Sequence, residues 1–443
     1  MSRTASFPIS RRAALAAPAL LAAGHAVSQT AEVDVVIIGA GAAGLAAART
    51  AQAEGVSFTL IEARDRIGGR TLTDRSLGVP VDGGATFIHF ADRNPWTAIA
   101  AEVGVETRTG NWRSGGYREF SDGAPVEAGV ASGQRSGRGG LWALMEDVDA
   151  SNDVSFARLV ANAPPEVVAA AQSMARGAVG EEPERVSVAD YGRLYDGPNR
   201  VVPEGYGTIV ERYGAGVPVR TGVFARLIDW SGRGVRVETD QGDIRARAAI
   251  VTVPIGVLKA EKVRFRPALP RETANAIDGL AMGALSKIAL KFDGDRFGAA
   301  PDMHFVELRG ARPGMSFEMW PFDRDVVVCW FGADYAREIN RLGEEGAVRH
   351  MLERLVRIVG PEAEKAFRGG RHFGWSEDPF ALGGYSYARV GHAGARDALR
   401  KPVADRLWFA GEACAGKASM TVGGAHQTGE QAARSIAARL RPR

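Results

Sequence analysis

The chain has 443 residues, of which 45% are hydrophobic and 24% charged, and its formal net charge is +3. This balance is typical of a globular protein of two or three domains and excludes disordered and collagen-like chains. Beyond the first residues no block of Lys and Arg occurs, which argues against a nucleic-acid-binding protein. The two cysteines, Cys329 and Cys414, provide neither a disulfide framework nor a metal-ligand spacing. We therefore predict no metal site, and we expect Cys329 to be buried as a small hydrophobe.

The first 26 residues differ in character from the rest of the chain. Arg11 and Arg12 precede an apolar run at residues 13–23, and Gly24–Ala26 offers a cleavage site. This pattern predicts a twin-arginine signal peptide over residues 1–26, recognised by the twin-arginine export machinery, and a periplasmic or secreted protein. The apolar run is too short to be a stable membrane anchor.

The next segment has the pattern of a βαβ unit that binds a dinucleotide. The apolar run VDVVII ends in GAGAAG, an alanine-rich helix follows, and a second strand ends at Glu62. Gly39 permits the tight turn, Gly41 permits close approach of the backbone to a pyrophosphate, and Gly44 packs helix on strand. Glu62 is placed to accept hydrogen bonds from ribose hydroxyls. The motif alone does not distinguish NAD from FAD.

Further along the chain, helices and strands alternate in blocks. Residues 141–195 are alanine-rich and predict helices, 217–253 predict short strands, and four segments between 285 and 333 alternate as a half-exposed sheet does. A helix is predicted over 346–359. The acidic run at 181, 182 and 184 is expected to be a solvated loop. A last strand, RLWFAGE, and a last helix complete the nucleotide-binding domain, so the middle of the chain must interrupt that domain.

These blocks predict an α/β fold in which a Rossmann-like FAD-binding domain is interrupted by a substrate domain of a mixed sheet and helices. The predicted segments are 1–26 for the signal, 33–110, 201–260 and 371–443 for the FAD-binding domain, 111–200 for the helical part of the substrate domain, and 261–370 for its mixed sheet.

The order of several motifs resembles the flavin-containing amine oxidases, a group that includes polyamine oxidases, monoamine oxidases and lysine-specific histone demethylases. The resemblance extends from about residue 33 to 440, and the set of motifs carries it. The motifs are Gly39 to Gly44, Glu62-Ala63-Arg64, Gly68-Gly69-Arg70, Gly84-Ala85-Thr86, Lys287, Trp375, Gly384 to Tyr387, and Gly411-Glu412.

The resemblance implies FAD as the cofactor and assigns residues to it. Arg70 would contact the pyrophosphate, Glu412 the ribityl chain, and the backbone of Ala225 the adenine. The N-terminus of the last helix would point its amides and dipole at the flavin pyrimidine, where charge accumulates on reduction. The full set of predicted cofactor-binding residues is Gly39, Gly41, Ala43, Gly44, Glu62, Ala63, Arg64, Gly69, Arg70, Gly84, Ala85, Thr86, Ala225, Gly411, Glu412, Thr421 and Val422.

By the same resemblance, three residues are expected at the reacting centre. Lys287 matches the lysine that holds a water beside flavin N5, although a strand lysine taken alone is usually solvated. Trp375 and Tyr385 match the aromatic walls of the substrate slot, where they would orient an amine. Tyr387, two residues further in an extended segment, should point to the opposite side and be structural.

Departures from relatives within the family narrow the expected substrate. Gly384 stands where monoamine oxidases carry the cysteine that bonds to the flavin, so FAD is expected to be non-covalent. Thr421 stands where their second cage tyrosine lies. Phe87 stands where L-amino-acid oxidases carry a carboxylate-binding arginine. Phe87, His89 and Thr421 are predicted to line the substrate slot.

The predicted activity is oxidation of a primary amine or polyamine by hydride transfer to flavin N5, giving an imine, then an aldehyde, with molecular oxygen reduced to hydrogen peroxide. Two alternatives remain. The protein could be an L-amino-acid oxidase or a tryptophan 2-monooxygenase, against which Phe87 argues. It could also be a flavin-binding module without amine turnover, against which the retention of Lys287 and Tyr385 argues.

Overall fold

The computed structural model describes residues 32–110, 116–126, 130–294, 296–309 and 312–441. The predicted signal peptide lies outside these residues. Among the described residues, no helix combines the length and the apolar character needed to cross a membrane.

Twenty-two strands lie in the described part of the chain. They are β1 Val33–Ile38, β2 Phe58–Ile61, β3 Thr73–Asp74, β4 Val81–Asp82, β5 Phe87–Ile88, β6 Arg108–Thr109, β7 Tyr117–Ser121, β8 Ala124–Val126, β9 Arg200–Val201, β10 Val219–Arg220, β11 Ala225–Asp229, β12 Val235–Thr239, β13 Gly242–Val251, β14 Arg264–Arg266, β15 Leu280–Gly283, β16 Leu285–Phe292, β17 Met303–Arg309, β18 Arg312–Met319, β19 Val326–Gly332, β20 Phe367–Phe373, β21 Tyr385–Ala388 and β22 Leu407–Phe409.

The described α-helices number fourteen, with one π-helix, Met174–Val179, between the fifth and the sixth. They are α1 Ala42–Ala53, α2 Pro95–Glu102, α3 Val130–Glu146, α4 Phe156–Leu159, α5 Pro165–Ser173, α6 Val188–Gly192, α7 Tyr206–Gly214, α8 Ile255–Lys259, α9 Arg271–Gly279, α10 Ala333–Asn340, α11 Gly343–Val359, α12 Glu362–Ala366, α13 Ala395–Arg400 and α14 Val422–Leu440.

The first sheet has the strand order β10-β2-β1-β13-β12-β11-β14, with β22 also paired to β13. Strand β1 is parallel to both β2 and β13, so the glycine turn after Ile38 emerges at the carboxyl edge of the sheet, where ligands of such folds bind. Alanines of α1 and α14 pack together over one face, because small side chains allow the two helices to approach closely. The predicted βαβ unit is therefore present, and both ends of the chain contribute to the same domain.

The second large sheet has the order β20-β16-β19-β18-β17-β7-β8. Its strand β16 was predicted to be half-exposed, but it is buried along nearly its whole length. Helices α10, α11 and α12 cover one face, and Val81 and Phe373 pack against the other near Val328. The prediction was wrong because alternation along one strand does not reveal that both faces are covered.

Strand pairing divides the chain differently from the predicted segments at several places, for example at β7 and at β14. Strands β7 and β8 lie in the segment 111–200, predicted as helical, but β7 pairs in parallel with β17 of the second sheet. Strand β14 lies in the segment 261–370, but it pairs with β11 of the first sheet. The remaining helical segments, α3 to α6, form their own apolar cluster.

The acidic run after the π-helix is not a solvated loop, contrary to expectation. The side chain of Glu181 is only 2% exposed and accepts hydrogen bonds from Arg337 at 2.6 Å, Arg185 at 2.9 Å and Tyr387 at 2.9 Å. Glu184, by contrast, is exposed. A charge run in sequence does not show which of its members finds cationic partners from a distant helix.

Candidate active site

A cavity of about 410 Å³ lies at the carboxyl edge of the first sheet and extends to the second sheet. Of the residues predicted to hold a cofactor or substrate, only Gly44 does not line it. The lining ones are Gly39, Gly41, Ala43, Glu62, Ala63, Arg64, Gly69, Arg70, Gly84, Ala85, Thr86, Phe87, His89, Ala225, Lys287, Trp375, Tyr385, Gly411, Glu412, Thr421 and Val422. The fold thus brings together residues more than 300 positions apart in the sequence.

The glycine turn between β1 and α1 forms a cradle at one end of the cavity. Gly39 has a φ of +104°, and a Cβ on Gly41 would meet open space. Gly44 instead packs against the turn, since a Cβ there would lie 1.8 Å from the carbonyl oxygen of Gly39. Helix α1 starts without a side-chain cap, so its first amides can bind an anion. This geometry fits the pyrophosphate of an adenine dinucleotide.

Glu62 directly follows β2 and lies beside this cradle. One of its carboxylate oxygens accepts a hydrogen bond from the amide of Ala40 at 2.8 Å, and the other accepts one from the amide of Arg64 at 2.9 Å. Each oxygen of a carboxylate can accept a second bond. The buried carboxylate is therefore fixed in position and retains acceptor capacity for ribose hydroxyls.

Arg70 lies further along the cavity and is held from two sides. Its Nη1 donates to the carbonyl of Gly384 at 2.7 Å and to Oε1 of Glu412 at 3.1 Å. Glu412 also accepts hydrogen bonds from the amide and the hydroxyl of Ser386. The guanidinium is thus oriented before any ligand binds, which lowers the cost of ordering it.

The N-terminus of α14 borders the cavity. The hydroxyl of Thr421 caps the helix by accepting a hydrogen bond from the amide of Gly424 at 3.0 Å, and Nε1 of Trp96 donates to the carbonyl of Val422 at 3.0 Å. Thr421 and Val422 line the cavity. The positive end of the helix dipole is therefore directed at whatever the cavity holds.

Lys287 extends from β16 into the wall of the cavity and is 4% exposed. Its ammonium donates to the carbonyls of Asp82 at 2.8 Å and Gly84 at 2.6 Å and to the hydroxyl of Thr86. These three acceptors match the three protons of an ammonium group, and the water implied by the resemblance remains a prediction. Burial lowers the pKa of Lys287 to about 8, although Asp82 opposes the shift.

The two predicted aromatic walls are anchored by hydrogen bonds to the backbone. Nε1 of Trp375 donates to the carbonyl of Gly83 at 2.9 Å, and Oη of Tyr385 donates to the carbonyl of Ala178 at 2.6 Å. Tyr387 does not line the cavity and bonds to Glu181, in agreement with its expected structural role.

Sequence reasoning missed Trp330 and Asn199, which also line the cavity. Trp330 lies opposite Lys287 in the β16–β19 pairing, its ring is 4.1 Å from Nζ of Lys287, and it stacks on Phe87 with 6.2 Å between ring centroids. Asn199 Oδ1 lies 3.0 Å from Nδ1 of His89. The alternation in VVVCWFG predicts that Trp330 points to the face opposite the buried Cys329. It does not indicate that a lysine lies beside Trp330.

A second cavity of about 390 Å³ shares Thr86, Phe87 and Trp330 with the first. Four carboxylate residues and two arginines line it: Asp82, Asp302, Glu318, Asp323, Arg108 and Arg324. Oε2 of Glu318 accepts a hydrogen bond from Nε1 of Trp330 at 3.1 Å, and burial raises the pKa of Glu318 to about 7. Acidic residues therefore outnumber basic ones in the lining of this second cavity.

Comparison with known proteins identifies the family of this chain. Residues 42–437 match the family model described as flavin-containing amine oxidoreductase. Polyamine oxidase 2 of Arabidopsis thaliana is 30% identical over 92% of this chain and 88% of its own length. Human lysine-specific histone demethylase 2 is 27% identical over 91% of this chain and 53% of its own length.

Solved structures share the fold. Cyclohexylamine oxidase from Brevibacterium oxydans superposes with a TM-score of 0.77 at 22% identity, covering 92% of this chain and 99% of that one. Putrescine oxidase bound to putrescine superposes with a TM-score of 0.76 at 20% identity and the same coverage. The protein belongs to the flavin-containing amine oxidoreductase family and is an amine-oxidising flavoenzyme that uses FAD.

Proposed function

We propose that this enzyme oxidises a primary amine that carries a second cationic group, a diamine or polyamine, with molecular oxygen as acceptor. The overall reaction converts the amine, oxygen and water into an aldehyde, ammonium and hydrogen peroxide. The observation that supports it is the juxtaposition of the Lys287 wall with the acidic second cavity across Trp330. The names of its relatives, polyamine oxidase and putrescine oxidase, favour the same substrate class.

The two cavities would bind different parts of the substrate. Bound FAD supplies the two-electron acceptor. Trp375 and Tyr385 enclose the reacting end of the amine in an apolar slot, which excludes water and favours the neutral amine. Glu318, which is ionised above its pKa of about 7, and its acidic neighbours offer a counter-charge for a distant ammonium group, which stays protonated.

A free amino acid is disfavoured by the charges of the first cavity. Arg64 already forms a two-pronged ion pair with Asp378 at 2.9 and 2.6 Å, and Arg70 is paired with Glu412. Phe87 provides no cation where the amino-acid oxidases have an arginine. An α-carboxylate in this slot would therefore be buried without a forked partner, which is costly.

The test compares two amines that differ only in the distal group. Purified holoenzyme is mixed anaerobically with butylamine or with butane-1,4-diamine, and bleaching of the flavin band is followed. We expect the diamine to react with a specificity constant at least about tenfold higher, and Glu318→Gln to remove that preference while leaving butylamine unchanged. Equal rates for the two amines, or preferential bleaching by L-tryptophan, would overturn the proposal. Peroxide released in air, measured with a coupled peroxidase, tests the acceptor.

We also propose that the enzyme is exported by the twin-arginine machinery. Arg11 and Arg12 followed by the apolar run at 13–23 support this, and a machinery that carries folded proteins suits an enzyme that must first enclose FAD. N-terminal sequencing of the native periplasmic or secreted protein should give a mature sequence that begins after Ala26. An intact N-terminus in the cytosolic fraction would contradict export.

A further inference from the structure

The π-helix Met174–Val179 is the element that reaches the cavity from the helical segment. It continues α5 directly and ends at Gly180, which has a φ of +73°. Two of its residues, Gly177 and Ala178, line the cavity and are also exposed. The cavity therefore opens to solvent beside this helix. Single π-helical turns occur frequently at functional sites.

The backbone on each side of these two residues is pressed against strands. The carbonyl oxygen of Arg176 lies 2.1 Å from where a Cβ on Gly332 would be, and that of Val179 lies 2.0 Å from a Cβ on Gly283. Only glycine at those two strand positions permits such an approach. The π-helix is thus wedged against β19 at Arg176 and against β15 at Val179.

Two polar contacts hold the same element. Oη of Tyr385 donates to the carbonyl of Ala178 at 2.6 Å, and Glu181, just after the helix, is buried and ion-paired with Arg337. Because two strands press against this helix and Tyr385 bonds to the carbonyl of Ala178, this rim of the cavity is rigid. The width of the opening is then decided by the side chains on the rim.

Gly177 is the rim position where a side chain has room. A Cβ there would meet nothing within 4 Å, and the φ of Gly177 is not in the left-handed region. Backbone strain therefore does not explain why this residue is glycine. A larger side chain would stand in the opening, next to the Tyr385 wall.

We propose that Gly177 determines which amines reach the reacting centre, by leaving the opening wide enough for amines with a ring or branch at the carbon that bears nitrogen. Bulk at residue 177 would exclude these amines and still admit unbranched ones. The inference rests on the proposed function to the extent that an amine must enter through this cavity.

The test introduces bulk reversibly. In Gly177→Cys, residue 177 supplies the accessible thiol, because Cys329 and Cys414 are buried. Benzyl methanethiosulfonate places a benzylthio group on it: the thiolate attacks the reagent's sulfenyl sulfur, a disulfide forms, methanesulfinate leaves, and dithiothreitol reverses the modification. The methyl reagent gives a slim label by the same reaction. FAD-loaded protein is used throughout.

The readout is anaerobic flavin bleaching by butylamine and by cyclohexylamine. We expect the benzyl label to slow cyclohexylamine at least about tenfold more than butylamine, the methyl label to have little effect, and dithiothreitol to restore both rates. Gly139→Cys is the matched control, since Gly139 is an exposed helical glycine whose Cβ also meets open space but which does not line the cavity.

The outcomes are distinguishable. In one case, amines bleach unlabelled Gly177→Cys, but the benzyl label slows both amines equally or slows neither. This result would overturn the role of Gly177 and leave the proposed function standing. The same selective slowing of cyclohexylamine in benzyl-labelled Gly139→Cys would also overturn the role of Gly177. Failure of every amine to bleach the unlabelled wild type would overturn the proposed function itself.

Discussion

Lys287 combines a buried positive charge with a position in the cavity wall, and this predicts an effect on the proposed reoxidation of the flavin by oxygen. A fixed cation stabilises negative charge that develops on oxygen during reduction. We expect Lys287→Met to slow the aerobic return of the flavin band by about 10²-fold and to change anaerobic bleaching much less. Lys291→Met is the control, because Lys291 lies on the same strand but pairs with Asp325 outside the cavity. Equal slowing in both variants would refute the assignment.

The protonation of the same residue predicts a pH dependence. Burial lowers the pKa of Lys287 to about 8, so the side chain is charged below that pH and neutral above it. Since the charged form stabilises reduced oxygen, the reoxidation rate should fall as pH rises through about 8. In Lys287→Met the profile should be flat across this range. A wild-type rate that instead rises through pH 8 would show that the neutral amine is the active form.

For individual residues, the sequence predicted much of the site and missed the contacts that depend on pairing between strands. Lys287 and Tyr385 could be identified because each lies in a recognisable motif. Trp330 could not, because its role follows from lying opposite Lys287 in the β16–β19 register. Nor could the three oxygen partners of Lys287, which come from the loop and strand around Asp82 to Thr86.

Among the elements, α14 carries the prediction that is easiest to isolate. Thr421 caps it through the amide of Gly424, and loss of such a cap costs about 1 kcal/mol. We expect Thr421→Ala to lower the thermal midpoint and to weaken FAD retention, and Thr421→Ser to stay close to wild type. Ser155→Ala removes the cap of α4, away from the cavity. It should lower stability without releasing FAD, and FAD loss in this variant would contradict the argument.

Whether a helix could be predicted from the sequence depends on the regularity of its local apolar pattern. Helix α11 was predicted over 346–359 and is found at Gly343–Val359, because its apolar spacing is regular. The π-helix was not predicted, since its geometry depends on close packing against Gly283 and Gly332. These glycines follow it by more than 100 residues and belong to strands that meet it only in the folded protein.

For the whole molecule, the chain order predicted that a nucleotide-binding domain is interrupted, but not how the interrupting pieces pair. Strands β7 and β17 are parallel neighbours separated by most of the chain's middle, and such a pairing leaves no local signature. The same holds for Glu181, whose partner Arg337 lies on α10, so that one buried ion pair joins the helical segment to the second sheet.

That ion pair predicts unequal effects of two neighbouring carboxylates. Glu181→Ala would remove the acceptor of the Tyr387 hydroxyl and one of the two carboxylates that pair with Arg337, which keeps Asp334. Loss of a buried hydrogen-bond acceptor costs about 1–3 kcal/mol, and we expect the free energy of unfolding to fall by about 2 kcal/mol. Glu184→Ala alters an exposed member of the same acidic run and should change stability by less than about 0.5 kcal/mol.

Denaturant unfolding of the FAD-loaded proteins, followed by tryptophan fluorescence, measures both variants. Because Glu181 also holds the end of the π-helix, Glu181→Ala should raise the KM for amines under conditions where the protein remains folded, whereas Glu184→Ala should not. If Glu181→Ala and Glu184→Ala proved equally stable, the ion pair would contribute nothing to joining the two parts of the molecule. An unchanged KM in a destabilised Glu181→Ala would restrict its role to stability and separate it from the rim of the cavity.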